Sequence, residues 1–298
     1  MTYSIVACDS ATGQLGVAGQ SCAFALGSVL GWARAGVGAV ASQARAEPGY
    51  GPRGLDLLAA GVEPAAALEQ LRASDEHHQE RQVGLVSAAG TAASFTGVDC
   101  VPETGSAVGD GFAAQANIMI SAGVCDAMAV AYEAATGPLA TRLVAALNAA
   151  QRAGGDARGQ MSASLLVVDG TSHEHPWEGV IVDVRVDHHP TPLDELERLV
   201  HLALSYQHDE RAFELLESGD AEAALDAVDA GLALAPGDAE LRLTRACALV
   251  ALGHHEEARS IVGEIVDVQA GWADTLRGYS RRGLLGSIDP ATLERLLP

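Results

Sequence analysis

The chain has 298 residues, enough for one large domain or two modest ones, and its 48% hydrophobic and 19% charged content marks a globular protein. The formal net charge of −21 argues against nucleic acid and anionic membrane surfaces as partners. All 18 basic residues are arginine, and the absence of lysine excludes a phosphate-loop lysine, a Schiff-base lysine and a lysine general base.

Residues 3–7 and 14–18 read as strands joined by the turn-rich Asp9-Ser10-Ala11-Thr12-Gly13. A third apolar run covers residues 37–41. Two helices follow at 55–60 and 64–73, the second with Pro64 at a favourable first position. Residues 83–87 and 91–96 predict a hairpin about Ala89-Gly90. Helices at 124–135 and 139–151 are separated by Gly137-Pro138, and strands at 164–168 and 180–186 close the region. The order of strands, two helices, strands, two helices, strands suits two packed sheets with a helix layer outside each, an α+β arrangement. The two prolines of Asp187-His188-His189-Pro190-Thr191-Pro192 suggest a boundary, giving domains at 1–190 and 191–298.

The second region repeats itself. Gly219 and Gly253 are spaced like Ala224 and Ala258, and Pro236-Gly237-Asp238 falls at the junction between the copies. A 34-residue helix–turn–helix with small residues at the helix contact resembles the tetratricopeptide repeat, so a small all-α domain is expected.

The five cysteines, Cys8, Cys22, Cys100, Cys125 and Cys247, are scattered without a CxxC pair, so neither a disulfide framework nor a zinc knuckle is expected. Adjacent histidines such as His77-His78 and His254-His255 point apart on a regular element and lack zinc spacing, so no metal or other cofactor is expected. The first nine residues carry no basic segment followed by an apolar run, and no uninterrupted apolar stretch approaches ~18 residues. A soluble cytoplasmic protein is therefore expected.

Chemistry points first to Thr2. Removal of Met1 before a small residue would leave Thr2 with a free α-amine, whose pKa near ~7.7–8.0 suits it to accept the hydroxyl proton. Gly154-Gly155-Asp156-Ala157-Arg158-Gly159 is a flexible loop running into Met161-Ser162. There Asp156 could fix Arg158 or an N-terminal ammonium while backbone N–H groups supply oxyanion donors. Arg53 before a helix could meet an anionic substrate group, and Arg81-Gln82 and Asn117 could line a polar cleft.

The segments Thr2-Tyr3-Ser4-Ile5-Val6-Ala7, Gly13-Gln14-Leu15-Gly16-Val17-Ala18, residues 32–41, Tyr50-Gly51-Pro52-Arg53-Gly54, Arg81-Gln82-Val83-Gly84, Gln115-Ala116-Asn117 and residues 154–159 resemble an uncharacterised bacterial family, domain of unknown function 1028, with the N-terminal-nucleophile hydrolase fold. The resemblance covers residues 2–190 in order. It implies a four-layer αββα sandwich, with Thr2 attacking an amide carbonyl and its own amine as base. The lysine that tunes this amine in the proteasome-like branch is missing, and Arg34 is the nearest substitute in position, able to act only electrostatically. Met161 stands where family members commonly carry Gln.

The expectation is an amidohydrolase with Thr2, Arg34, Asp156 and Ser162 in the catalytic centre and Arg53, Arg81, Asn117 and Arg158 binding a small carboxylate-bearing amide or peptide-like substrate. The alternative is a non-catalytic scaffold that uses residues 191–298 for protein or peptide interaction. A homodimer is a further expectation.

Overall fold

The structure, a computed structural model, describes residues 2–269 and 271–298. The chain forms two compact units, one ending at Val200 and the other running His201–Pro298.

The first unit holds two antiparallel sheets. One contains β1 (Thr2–Cys8), β2 (Leu15–Ser21), β7 (Gly105–Gly109), β8 (Phe112–Asn117), β9 (Ser162–Val168) and β10 (Val180–Val186) in the order β10-β9-β2-β1-β8-β7. The other is β3 (Gly31–Arg34), β4 (Gly38–Ala44), β5 (Arg81–Ser87) and β6 (Ala92–Thr96), in chain order. The sheets face each other across Val6, Cys8, Leu15, Val17, Ala113 and Val168 on one side and Ala39, Ala41 and Val86 on the other. Short side chains on β4 and β8 bring the two backbones close, which is how a chain poor in aromatics fills this layer.

Helices cover both outer faces. Tyr50, Leu55 and Leu58 of α1 (Tyr50–Ala59) and Ala67, Leu68 and Leu71 of α2 (Pro64–Ala73) pack on Val40, Val83 and Leu85. On the first sheet, α4 (Leu139–Arg152) lies so close to β2 that a Cβ on Gly16 would sit 2.7 Å from Leu143 Cδ1. It pairs with α3 (Val124–Ala134), whose Tyr132 ring packs tilted against Phe112, with ring centroids 5.0 Å apart.

Most elements match their sequence expectation within a few residues, but β3, β7 and β8 were not expected. Their sequences, GWAR, GSAVG and FAAQAN, hold almost no β-branched residues, and cross-strand pairing rather than propensity makes them strands. The run at residues 187–192 leads into α5 (Pro192–Ser218), where Pro192 occupies a helix start and its missing N–H costs nothing. The division between the two units falls later, inside α5.

The second unit contains the later part of α5 with α6 (Ala221–Leu234), α7 (Ala239–Ala251), α8 (His255–Val268), α9 (Gly271–Arg281) and α10 (Pro290–Leu296). Gly219 and Gly253 close α5 and α7 at φ of 85° and 84°, a left-handed conformation that favours glycine. Ala224 and Ala258 are fully buried at the helix contacts that their repeat spacing predicts. Asp220 and Asp238 cap α6 and α7 through their carboxylates.

One buried group works against this unit. Asp209 on α5 is 7% exposed, and its Oδ1 has no hydrogen-bond partner. Burial pushes its pKa up, Thr244 pulls it back in part, and Asp238 and Glu210 add to the rise. A carboxyl whose folded pKa is raised favours the fold when protonated, so its contribution worsens as pH rises from the ordinary carboxylate range through the folded value. Asp209→Asn is expected to stabilise the helical unit by about 1 kcal/mol at neutral pH. Urea unfolding at pH 7 and pH 4 checks this: the gain shrinks at the lower pH, and a destabilised variant at pH 7 contradicts the account.

Candidate active site

Strand registers gather several chain-distant residues at one end of the two sheets. Thr2 pairs with Asn117 across β1 and β8, Ser21 with Ser162 across β2 and β9, and Ala44 with Arg81 across β4 and β5. At this end the layer between the sheets turns polar. Thr2, Ser4, Ser21, Gln43, Gln82, Gln115, Asn117 and Ser162 are all buried here, while the opposite end holds the apolar residues described above. Gly84 makes the space for Gln115, since a Cβ there would meet its amide at 2.0 Å.

Thr2 sits at the centre of this polar end. Its Oγ1 hydrogen-bonds Ser21 Oγ at 3.3 Å. Its carbonyl accepts from Gln43 Nε2 at 3.2 Å and from Asn117 Nδ2 at 3.5 Å. Both amides also donate to Gln82 Oε1, at 2.7 and 2.9 Å, and Gln82 Nε2 in turn donates to Thr96 Oγ1 and the Ala116 carbonyl, each at 2.9 Å. Three side-chain amides from β4, β5 and β8 thus lock the first residue of β1 to both sheets. Buried amides with several partners are costly to disturb, so the network fixes where Thr2 lies.

The 156–162 loop completes the wall. Asp156, with a fully buried carboxylate, accepts from Cys22 N at 3.1 Å, from Arg158 N at 2.9 Å and from the Arg158 guanidinium at 3.1 Å. It therefore fixes Arg158, one of the two roles expected for it, and also ties down the chain just after Ser21. Ser162 Oγ donates to the Ala23 carbonyl at 2.6 Å and accepts from Leu26 N at 3.1 Å. Its hydroxyl holds residues 23–26 through these two bonds.

The expected arginines fall differently. Arg34 pairs with Gly38, at the far end of β4 from Gln43, roughly 17 Å along the strand at ~3.3 Å per residue. Its guanidinium meets Asp56 at 2.9 Å in an exposed pair. It cannot stand in for a lysine beside Thr2. Arg53 lies on the outer face of α1, bonded to the Gly49 carbonyl at 2.9 Å and 3.8 Å from Glu47. Arg81 starts β5 at the correct end, but side chains alternate along a strand, so Gln82 points between the sheets and Arg81 points outward. There it bonds Asp75 at 2.8 Å, with Tyr50 Oη donating to the same carboxylate at 3.0 Å. Each expected substrate-binding arginine, Arg53, Arg81 and Arg158, thus carries a carboxylate of its own.

A cleft of about 200 Å³ opens beside this network, lined by Ala44, Arg45, Glu80, Asp99, Cys100, Val101, Asn117 and Ile118. Ala44 and Ile118 adopt left-handed backbone, at φ of 68° and 57°. For a β-branched residue that conformation is strained, and such strain collects where a site demands it. Ser21, Gln43, Arg45 and Asp99 are not among the residues the sequence singles out. Gln43 and Ser21 carried a usable signal, a polar residue at an inward-facing position of an otherwise apolar strand. Arg45 and Asp99 lie in loops and carried none. Among the described residues no group of His, Cys, Asp and Glu could hold a metal ion, and no helix is long and apolar enough to cross a membrane.

The Arg81–Asp75 pair sets a pH response. Hydrogen bonds from Arg81 first, then from His77 N and Tyr50, hold the Asp75 carboxyl well below the usual carboxylate range. Its stabilisation is complete above the unfolded pKa of about 3.9 and is lost as pH falls through the depressed folded value. Arg81→Met, which leaves the carboxylate without its cation, is expected to cost about 3 kcal/mol at pH 7 and to flatten the acid limb of the stability curve. Urea unfolding from pH 7 to pH 2.5 measures both, and an unchanged acid limb contradicts the assignment.

Residues 2–196 match the family described as "Family of unknown function (DUF1028)", and residues 215–275 match the tetratricopeptide repeat. The crystal structure of protein SPO2555 from Silicibacter pomeroyi, described with the same family, is similar at a TM-score of 0.61 and 31% identity, covering 67% of this chain and 84% of that chain. No curated protein shows significant similarity. With the family match spanning well over half its length, and with a tetratricopeptide-like helical region after it, the chain belongs to the DUF1028 family of unknown function.

Proposed function

We propose that the chain is an N-terminal-nucleophile amide hydrolase, its two helix-covered sheets the four-layer sandwich of that class and Thr2 its nucleophile. Met1, whose removal this requires, lies outside the described residues. The observation that carries the reading is the seat of Thr2. It opens a strand paired on both sides, points into the polar end of the layer between the sheets, and is held by Ser21, Gln43 and Asn117 next to a cleft that Asn117 itself lines. Positioning of this kind supplies much of what a weak hydroxyl nucleophile needs.

In the proposed reaction Thr2 Oγ1 adds to the carbonyl carbon of the substrate amide and its proton passes to the α-amine. The tetrahedral adduct collapses, the C–N bond breaks, and the departing amine takes that proton, leaving an ester on Thr2. Water then adds to the ester carbonyl, its proton again held by the α-amine. The C–O bond to Thr2 breaks, the proton returns to Oγ1, and a carboxylic acid leaves. The α-amine does all the proton transfer, in keeping with a chain that has no lysine. Ser21 orients the hydroxyl, and Gln43 and Asn117 hold the strand end in register.

A second reading, a non-catalytic binding protein, draws on the same lack of lysine together with the placement of Arg34 at the other end of β4. Thr2 separates the two. Treatment with an epoxyketone, which closes a ring with the hydroxyl and the free amine of an N-terminal Thr, is expected to modify Thr2 in the wild-type protein and in Thr2→Ser at the corresponding position. Thr2→Ala is expected to lower labelling and any amide turnover by at least ~10³-fold. Equal labelling or turnover in Thr2→Ala, read by peptide mass spectrometry, contradicts the nucleophile.

A further inference from the structure

The cleft beside Thr2 has a charge character opposite to the one a carboxylate-binding site needs. Its lining holds one arginine and two carboxylates. Arg45 Nη1 donates to both oxygens of Glu80, at 2.9 and 3.0 Å, and His77 Nδ1 approaches the same carboxylate at 3.2 Å. The positive charge of Arg45 is thus already matched inside the protein. Asp99 is different. It is exposed on the cleft, and among the described residues no cation pairs with it.

The other arginines near this end are also committed, Arg81 to Asp75 and Arg158 to Asp156. Recognition of a substrate carboxylate would require one of these pairs to break and would strand a carboxylate, in the case of Asp156 a fully buried one. The chain as a whole carries −21, so an anion approaches against the field of the entire molecule and a cation approaches with it.

The rest of the lining is largely apolar. Ala44, Cys100, Val101 and Ile118 form the walls, and Val98 and Val101 are exposed side by side with Asp99. The left-handed backbone of Ala44 and Ile118 turns the chain away at the cleft edge on both sheets. A cleft of about 200 Å³ with aliphatic walls, an amide-bearing inner end at Asn117 and, at Asp99, a carboxylate that no cation among the described residues pairs with suits a short aliphatic chain with an amide at one end and a positive charge at the other.

We infer that the cleft takes amides whose acyl chain is aliphatic and ends in an amine or guanidinium, the cation resting on Asp99 and the amide lying against Asn117. This rests on the proposed role of Thr2 for the identity of the scissile bond, but the charge preference is a property of the cleft alone.

The experiment uses the full-length Thr2→Ala protein, in which binding is read without turnover. The probes are three amides of equal chain length: the amide of aminohexanoic acid, hexanamide, and the monoamide of adipic acid. Ligand-observed NMR titration is expected to show the ammonium probe binding about fivefold tighter than hexanamide and more than tenfold tighter than the carboxylate probe, the scale of a partly exposed ion pair added to a favourable field. Asp99→Asn is expected to remove most of the ammonium preference while leaving hexanamide unchanged, and raised salt is expected to narrow it. Carboxylate binding equal to or tighter than ammonium binding overturns the inference, as does an ammonium preference that survives Asp99→Asn or the absence of binding by all three probes. Those failures leave labelling of wild-type Thr2 untouched, whereas loss of labelling alongside a retained ammonium preference would overturn the hydrolase and keep the cleft.

Discussion

The structure turns on the two-sided pairing of β1. With β2 on one flank and β8 on the other, the strand is paired along both sides, and Thr2 is carried to the interior of the sheet rather than left to fray at an edge. The layer between the sheets is graded along this strand, from Val6 and Cys8 at its end to Ser4 and Thr2 at its start. That gradient makes one end of the layer an apolar core and the other a buried polar network. A wholly apolar layer would pack equally well but could not hold a hydroxyl in a fixed, hydrogen-bonded position.

Amides do the work that charged residues do elsewhere. Gln43, Gln82 and Asn117 come from three strands and converge through Gln82 Oε1 on the Thr2 carbonyl. The charged groups nearby are spent in pairs that hold the surrounding loops: Asp156 with Arg158, Asp75 with Arg81, Glu80 with Arg45. An environment of neutral amides avoids the desolvation cost of a buried ion and leaves the only proton acceptor in the proposed chemistry on the backbone terminus. The absence of lysine fits this pattern: the side chains that contact Thr2, namely Ser21, Gln43 and Asn117, are neutral.

Much of this was legible in the residues themselves. The outer helices and the central strands follow from apolar periodicity, and the repeat spacing of Gly219 and Gly253 correctly marks the turns of the helical unit. Strands such as FAAQAN escape because small residues carry little β preference, and only pairing with β1 and β7 decides them. Arg81 and Gln82 show the limit most sharply. Both stand at one strand start, but the two-residue period sends one between the sheets and the other outward to Asp75, and choosing between them needs the register. Arg34 fails for a related reason: nearness in the sequence to the first strands says nothing about which end of β4 its own strand meets. The cleft charges of Arg45 and Asp99 belong to loops, whose positions no local pattern fixes.

The central claim is that Thr2 presents a free amine beside its own hydroxyl. The most direct measurement is the intact mass of the untagged protein together with the identity of its N-terminal peptide. The account predicts a chain that begins at unmodified Thr2. A chain that retains Met1, or one whose Thr2 amine is acetylated, lacks the proton acceptor and would contradict the mechanism.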